Sequence, residues 1–398
     1  MSTIGERQSY ISGIGQSVVG RRTGLGEMTL TVQAALAAIE DAGLGIDDID
    51  GVSTYPGGGR GTAVGGFGGP GAPDVIDAMG LSVDWYQGSA EGAAQLQAVV
   101  NACMAIASGL CRHVLVYRTV TEGTAQGTGG RQVMGRVADK ISGPAKYLYP
   151  YGAVSATCWL APLAQYHMHH FGLTREKLGQ VALNGRRHAA RNPNALLRAP
   201  LEMDDYLSAR MISSPLCLFD CDLPCDGSTA FVISHVDTAP DARLVPIHIN
   251  PLGTSARGRP SWDQWEDLAT FPGRSPATQM WNRTELKVGD VDTAQLYDGF
   301  SIITVLWLEA LGFCGTGEAG DFLGDGSRFG LDGELPLNTS GGQLSAGRLH
   351  GLGFVHESVV QLRGDGGDRQ IARQPEVAAV ANGAGSTVGC LLLTRGIR

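Results

Sequence analysis

Charge is scarce in this chain: only 17% of its 398 residues are Asp, Glu, Lys or Arg. The basic residues never gather into a block and the formal net charge is -9, which argues against nucleic acid or an anionic membrane surface as partner. No apolar run is long enough to span a bilayer, and the start, Met1 to Arg7, lacks the basic and apolar regions of a signal peptide. The expected location is therefore the cytoplasm. Metal-ligand spacing is also missing: Cys221 and Cys225 stand among Asp220, Asp222 and Asp226, but no second pair or spaced histidine completes a zinc site. His167, His169 and His170 read as a solvated or satisfied helix face. The eight cysteines, without a secretory start, are expected as thiols. Neither GK[ST] nor a well-placed GxGxxG follows a strand, so the glycine-dense stretch from Gly57 to Gly71 reads as a surface or interface loop and not as a phosphate cradle.

Glycine, by contrast, is abundant: 58 residues, about double the usual share of roughly 7%. The length suits two or three domains or one fused pseudo-repeat. Ser9 to Gly15 reads as a strand, Thr29 to Ala42 as an amphipathic helix stopped at Gly43, and Ile49 to Thr54 as a strand. Glu91 to Ser108 is Ala-rich and apolar throughout, hence a buried helix leading into the strand Val114 to Val120. Trp159 to Phe171 and Arg175 to Arg191 follow as helices, with Thr174 as N-cap of the second. A first half over 1-240, with an insertion at about 120-215, then gives way to a second half over 241-398.

In the second half Val245 to Asn250 reads as a strand, Gly258 to Ser275 as a polar excursion and Gly312 to Leu337 as a covering loop. Between the last two lies Gln295-Leu296-Tyr297-Asp298-Gly299-Phe300-Ser301, a polar knot joining a short strand to the apolar helix Ile302 to Leu311. Helix-start N–H groups can face a ligand there, with Asp298 as N-cap and Tyr297 either at the site or in the core. Gly341 to Gly351 forms a second glycine-rich turn before the helix carrying Glu357 to Leu362, and the strands Val377 to Ala381 and Cys390 to Thr394 flank Asn382 to Ser386. Both halves alternate strand and helix around a buried helix, which predicts a duplicated, layered α/β fold.

The order of these pieces resembles the thiolase superfamily along nearly the whole chain. Asp226-Gly227-Ser228-Thr229-Ala230 is similar to its DGA turn, Tyr297-Asp298-Gly299-Phe300 stands at its NEAF motif, Gly341-Gly342 through His350-Gly351 at its GG...GHPxG motif, and Asn382 to Ser386 at its CxGGG loop. The resemblance implies two pseudo-repeated halves forming a five-layered α-β-α-β-α sandwich. The departures bear on function. The acylated cysteine falls on Gly92, the GHPxG histidine on Arg348, and the second cysteine on Ala381 or Asn382; Cys103 faces the core further down the helix. A covalent Claisen mechanism, which needs an activated thiolate, has thus lost its parts.

Gly109 to Val120, Gln295 to Ser301 and Gly341 to Gly351 most resemble the lipid-transfer-protein branch, which includes the thiolase-like steroid side-chain aldolases. That resemblance implies retro-aldol cleavage of a 17-hydroxy steroid acyl-CoA thioester to a 17-ketosteroid and propionyl-CoA. It also implies a homodimer bound to two small OB-fold, zinc-ribbon subunits, the zinc belonging to the partner and no cofactor to this chain. Such chemistry needs a base, an enolate hole and an acid, but no cysteine. Tyr297 is expected to transfer protons beside Arg348, His350 to share that role or polarise the thioester, and Asp298 to orient its neighbours or cap the helix. Gly385, Gly92 and His248 are expected around the substrate and its enolate oxygen, His248 because the strand Val245 to Asn250 offers no tyrosine. Two other readings stay open: a Claisen-type thiolase using a relocated cysteine, and a non-catalytic acyl-CoA or lipid-binding scaffold.

Overall fold

A computed structural model describes residues 4–56, 65–89, 93–127, 145–153, 155–257, 261–262, 265 and 267–396. Its framework is a mixed nine-stranded sheet. The strands are β1 (Ser9–Gln16), β2 (Gly51–Thr54), β3 (Trp85–Gly88), β4 (His113–Thr121), β5 (Asp226–His235), β6 (Ile247–Ala256), β7 (Thr293–Leu296), β8 (Val377–Asn382) and β9 (Thr387–Arg395). They lie in the order β3-β2-β4-β5-β1-β6-β9-β8-β7.

The order reveals a repeat. Outward from β1 the neighbours are β5 and β4, each antiparallel to the last, and then parallel β2. Outward from β6 come antiparallel β9 and β8 and then parallel β7. The halves meet at a narrow seam, Tyr10 opposite His248 and Ile11 opposite Ile247. Helices repeat with the strands: α1 (Glu27–Ala42) follows β1, α3 (Gln97–Ala107) precedes β4, α6 (Arg274–Trp281) follows β6 and α8 (Leu352–Arg363) precedes β8. One packing device recurs as well. A Cβ on Gly15 would lie 2.2 Å from the Ala34 carbonyl oxygen of α1, and one on Gly253 would lie 1.9 Å from that of Pro276 in α6, so only glycine lets these helices approach their strands.

Both faces of the first half are covered. Val114 and Val116 of β4 join the cluster around α3, whereas Leu115 and Tyr117 join the one around α1, the period of two expected of a doubly buried strand. Among the described residues, the other helices of eight residues or more are α2 (Ala72–Met79), α4 (Ala156–Phe171), α5 (Arg175–Ala189) and α7 (Ser301–Leu311). Thr174 does cap α5, its side chain accepting from Lys177 N.

Three expectations change. The buried helix expected from Glu91 is regular only from Gln97; Ala94–Leu96 is a 3-10 turn entered through Ala94 at φ 48°, and Glu91 and Gly92 lie outside the described residues. The polar excursion ends in α6, whose start at Arg274 the sequence does not signal. The stretch from Gly312 to Leu337 is no cover: Leu323, Phe329, Leu335 and Leu337 are buried, and Pro336 O accepts from Ala294 N and Thr293 Oγ1 of β7. Its apolar residues lack a regular period, so the pattern of a surface loop conceals a wall of the core.

Candidate active site

The site grows from the end of β7. After Leu296 the chain bends at Gly299 and reaches Phe300, the N-cap of α7, which makes no side-chain cap bond. Asp298 is therefore not the helix cap it was expected to be; it sits too early in the chain. Its Oδ1 instead accepts from Gln343 N at 2.8 Å. A Cβ on Gly342 would fall 1.9 Å from Asp298 Oδ2, and that residue sits at φ +59°, so glycine is required twice over. Burial pushes the Asp298 carboxyl up to about 7, and nearby Asp222 adds to the rise against the backbone N–H groups of Gln343 and Leu344.

The first turn of α7 is held from below. Ser301 Oγ donates to Asp220 Oδ1 at 2.5 Å, as does Tyr206 Oη at 2.8 Å, while Cys217 N donates to Asp220 Oδ2 at 2.7 Å. Burial raises the Asp220 carboxyl. Asp222 N donates to Gly299 O, Leu223 N to Gln343 O and Arg348 N to Leu223 O. The acidic, cysteine-containing turn thus acts as a backbone splice joining 297–301 to 341–348. No cluster of His, Cys, Asp and Glu suited to a metal occurs among the described residues.

Tyr297, Arg348 and His350 are brought to this junction. The Tyr297 side chain is buried, with Trp262 and Phe354 edge-on at centroid distances of 6.2 Å each. Arg348 is paired with Glu122 and, at 3.3 Å, with Asp222. Burial alone would lower its pKa, but Asp222, Glu122 and Tyr297 together hold the guanidinium above its usual range. Arg348 therefore joins the second half of the chain to the first as a permanent cation. His350 occupies the left-handed region at φ 57°; its Nδ1 is 3.4 Å from Gln95 Nε2, and Phe67 meets it edge-on at 4.5 Å. Arg118 lies over that same Phe67 ring at 4.9 Å.

Asn382 closes the other side, donating through Nδ2 to Gly351 O at 3.4 Å. Gln95 Oε1 and Asn382 Oδ1 are buried with no partner among the described residues. Gly385 packs at the rim, where a Cβ would meet Ser261 O at 2.6 Å and the Trp262 ring at 2.7 Å. Trp307 of α7 fixes this loop by donating Nε1 to Gly383 O at 2.9 Å.

His248 is not part of this group. It pairs with Thr394 across β9, whereas the site-side end of β9 is Thr387, opposite Ala256; seven residues of strand at roughly 3.3 Å each put them about 23 Å apart. Its ring lies instead beside Tyr10 at the seam, at 5.9 Å, and burial lowers its pKa. Nor does the site hold an activated thiol. Burial pushes Cys103 up to about 12, and Cys225, close to Gly347, above its usual range. Sequence reasoning missed Gln95, Phe67, Trp262, Glu122 and Asp222 as site neighbours. Of these only Asp222 carried a signal, as part of the acidic turn.

Residues 255–392 match the family described as thiolase C-terminal domain-like. The chain is 34% identical to the 17-hydroxy-3-oxo-4-pregnene-20-carboxyl-CoA lyase of Mycobacterium tuberculosis, over 90% of this chain and 92% of the relative. Identity is also 34% to the steroid side-chain-cleaving aldolase of Thermomonospora curvata, over 89% and 90% of the two chains. Among solved structures, the Ltp2-ChsH2(DUF35) aldolase superimposes with a TM-score of 0.86 at 30% identity, covering 98% of this chain and 99% of that one. An acetyl-CoA acetyltransferase from Syntrophomonas wolfei shares the fold alone, at TM-score 0.67 and 16% identity.

Proposed function

The chain belongs to the thiolase superfamily, with 34% identity to its steroid side-chain aldolases over nine-tenths of its length, and from that premise we propose that it is a retro-aldol carbon–carbon lyase. Its substrate is a β-hydroxyacyl-CoA in the form of a 17-hydroxy steroid side-chain thioester. The observation that carries this reading is the site itself: a buried tyrosine after β7, a histidine on the 341–351 turn, and two buried amide oxygens, Gln95 Oε1 and Asn382 Oδ1, with no partner among the described residues.

In the proposed reaction Tyr297, as general base, takes the proton of the 17-hydroxyl. The ring-to-side-chain bond then breaks, its electron pair passing to the thioester as an enolate while the hydroxyl carbon becomes a ketone. His350 delivers a proton to the enolate carbon, giving propionyl-CoA, so atoms and charge balance without a covalent acyl-enzyme. Arg348 holds positive charge near the phenolate, and Asp298 fixes the loop that carries Arg348 and His350. Backbone N–H groups near Gly385 complete the enolate hole.

We extend the reading to assembly: a homodimer with two small DUF35-type subunits of OB-fold and zinc-ribbon architecture. The zinc of this reading belongs to the partner subunit. No helix among the described residues is long and apolar enough to cross a membrane, and we place the complex in the cytoplasm. The test is incubation of the co-purified complex with the hydroxy steroid thioester. Equal amounts of ketosteroid and propionyl-CoA are expected; return of intact thioester by a folded complex refutes the reading.

A further inference from the structure

The 3-10 turn Ala94–Leu96 is wedged into the second half of the chain. Three glycines make room for it and for Ala93. A Cβ on Gly351 would lie 2.5 Å from Gln95 Cβ, one on Gly383 2.8 Å from Ala94 Cβ, and one on Gly389 2.9 Å from Ala93 O. Of three non-glycine residues at positive φ among the described residues, two meet here: Ala94 at 48° and His350 at 57°. Strain kept at both ends of one contact marks a constrained site. The contact is Gln95 Nε2 to His350 Nδ1 at 3.4 Å. An amide NH2 can only donate, so Nδ1 is the acceptor and the neutral ring carries its proton on Nε2.

We propose that Gln95 is a positioning residue for His350, holding Nδ1 so that Nε2 is the nitrogen that gives its proton to the enolate. The inference rests on the lyase reading and adds to it a residue that acts through the imidazole. Charging the ring places an N–H on Nδ1 as well, and that group would face the N–H groups of the amide. A half-turn of the amide removes the conflict by bringing Oε1 to Nδ1, and Oε1 is buried with no partner among the described residues. An acceptor for the displaced amino group is close by. Asn382 Oδ1, likewise unpartnered among the described residues, lies 3.0 Å from the position of a Gly351 Cβ, and Gln95 Cγ lies 2.9 Å from it. A carboxylate in place of Gln95 would serve only the charged ring and an apolar side chain neither form, whereas an amide serves both.

The test is the nitrogen magnetic resonance spectrum of the purified protein, isotope-labelled on its histidine rings and recorded at a pH that leaves them neutral, with His350→Gln identifying the signals. In the wild type Nε2 is expected to carry the proton and Nδ1 to be bare. A ring protonated at Nδ1, or one averaging the two tautomers, overturns the proposal without need of any variant at Gln95. Gln95→Met, which keeps the length and removes the amide, should mix the tautomers. It should also lower kcat roughly 10- to 100-fold, the cost when a functional histidine loses its outer partner, with KM unchanged. An unaltered tautomer in that variant also overturns the proposal, because a merely structural wedge would lower the melting temperature and leave the ring as it was. The spectrum requires no turnover: the expected tautomers in a protein that returns the thioester intact remove the lyase and leave the hold on Nδ1 standing.

Discussion

At the residue scale the site combines a buried phenol with a buried guanidinium that two carboxylates have already claimed. Arg348 is consequently poorly placed to capture a phosphate of the incoming CoA, because Glu122 and Asp222 take the two terminal nitrogens of its guanidinium. Removing it should act on the fold as well: an Arg348→Ala variant leaves two buried carboxylates facing each other, and a loss of about 3–5 kcal/mol is expected, read from denaturant unfolding. Tyr297→Phe should separate chemistry from binding. Turnover is expected to fall roughly 100- to 10,000-fold, the span of a lost proton-transfer group, with thioester affinity retained. Asp298 offers a pH signature. Its carboxyl titrates near 7 in the folded chain against an ordinary 3.8, so between those values the native state holds a proton that the unfolded state has released. Native stability from this group therefore falls as pH rises from about 4 to 7 and levels off above. An Asp298→Asn variant lacks that slope: its melting temperature relative to wild type should climb across the same window, and a flat difference would show an ionised aspartate.

At the scale of elements, three loops are spliced through backbone bonds, and glycine permits the closest contact. Gly342→Ala would drive a methyl group into the Asp298 carboxylate while straining a left-handed residue; a cost of about 1–3 kcal/mol from backbone strain alone, and lost activity, should appear in melting and turnover assays. Much of this framework is legible in the sequence because it depends on local periodicity. The apolar run before Gly312 announces α7, and continuous apolar runs announce β4, β8 and β9. The junctions are less legible. Asp298 follows the rule for an N-cap, yet the chain runs on to Phe300 before turning, and a tertiary partner at Gln343 takes its carboxylate. His248 suited the chemistry, but strand register places it at the seam. Gln95, Phe67 and Trp262 reach the site through long-range packing, which one sequence does not encode in any local pattern.

At the scale of the whole molecule, the active site belongs to neither half. Gln95, Glu122 and Asp222 come from the first, and Tyr297, Arg348, His350 and Asn382 from the second. Yet the halves share a strand boundary only two residue pairs wide, reinforced where Arg363 of α8 pairs with Asp41 of α1 at 2.7 Å and donates to Ser12 O at 2.9 Å. Within each half the ladders are long; between them the register is brief. Time should expose this difference. Diluted from denaturant, the chain is expected to recover its far-ultraviolet circular dichroism first and its enzymatic activity later, since the halves can form before they dock. The narrow seam thereby makes catalysis the last property the molecule acquires and the first it loses, and an activity assay becomes a clock for the meeting of its two ends.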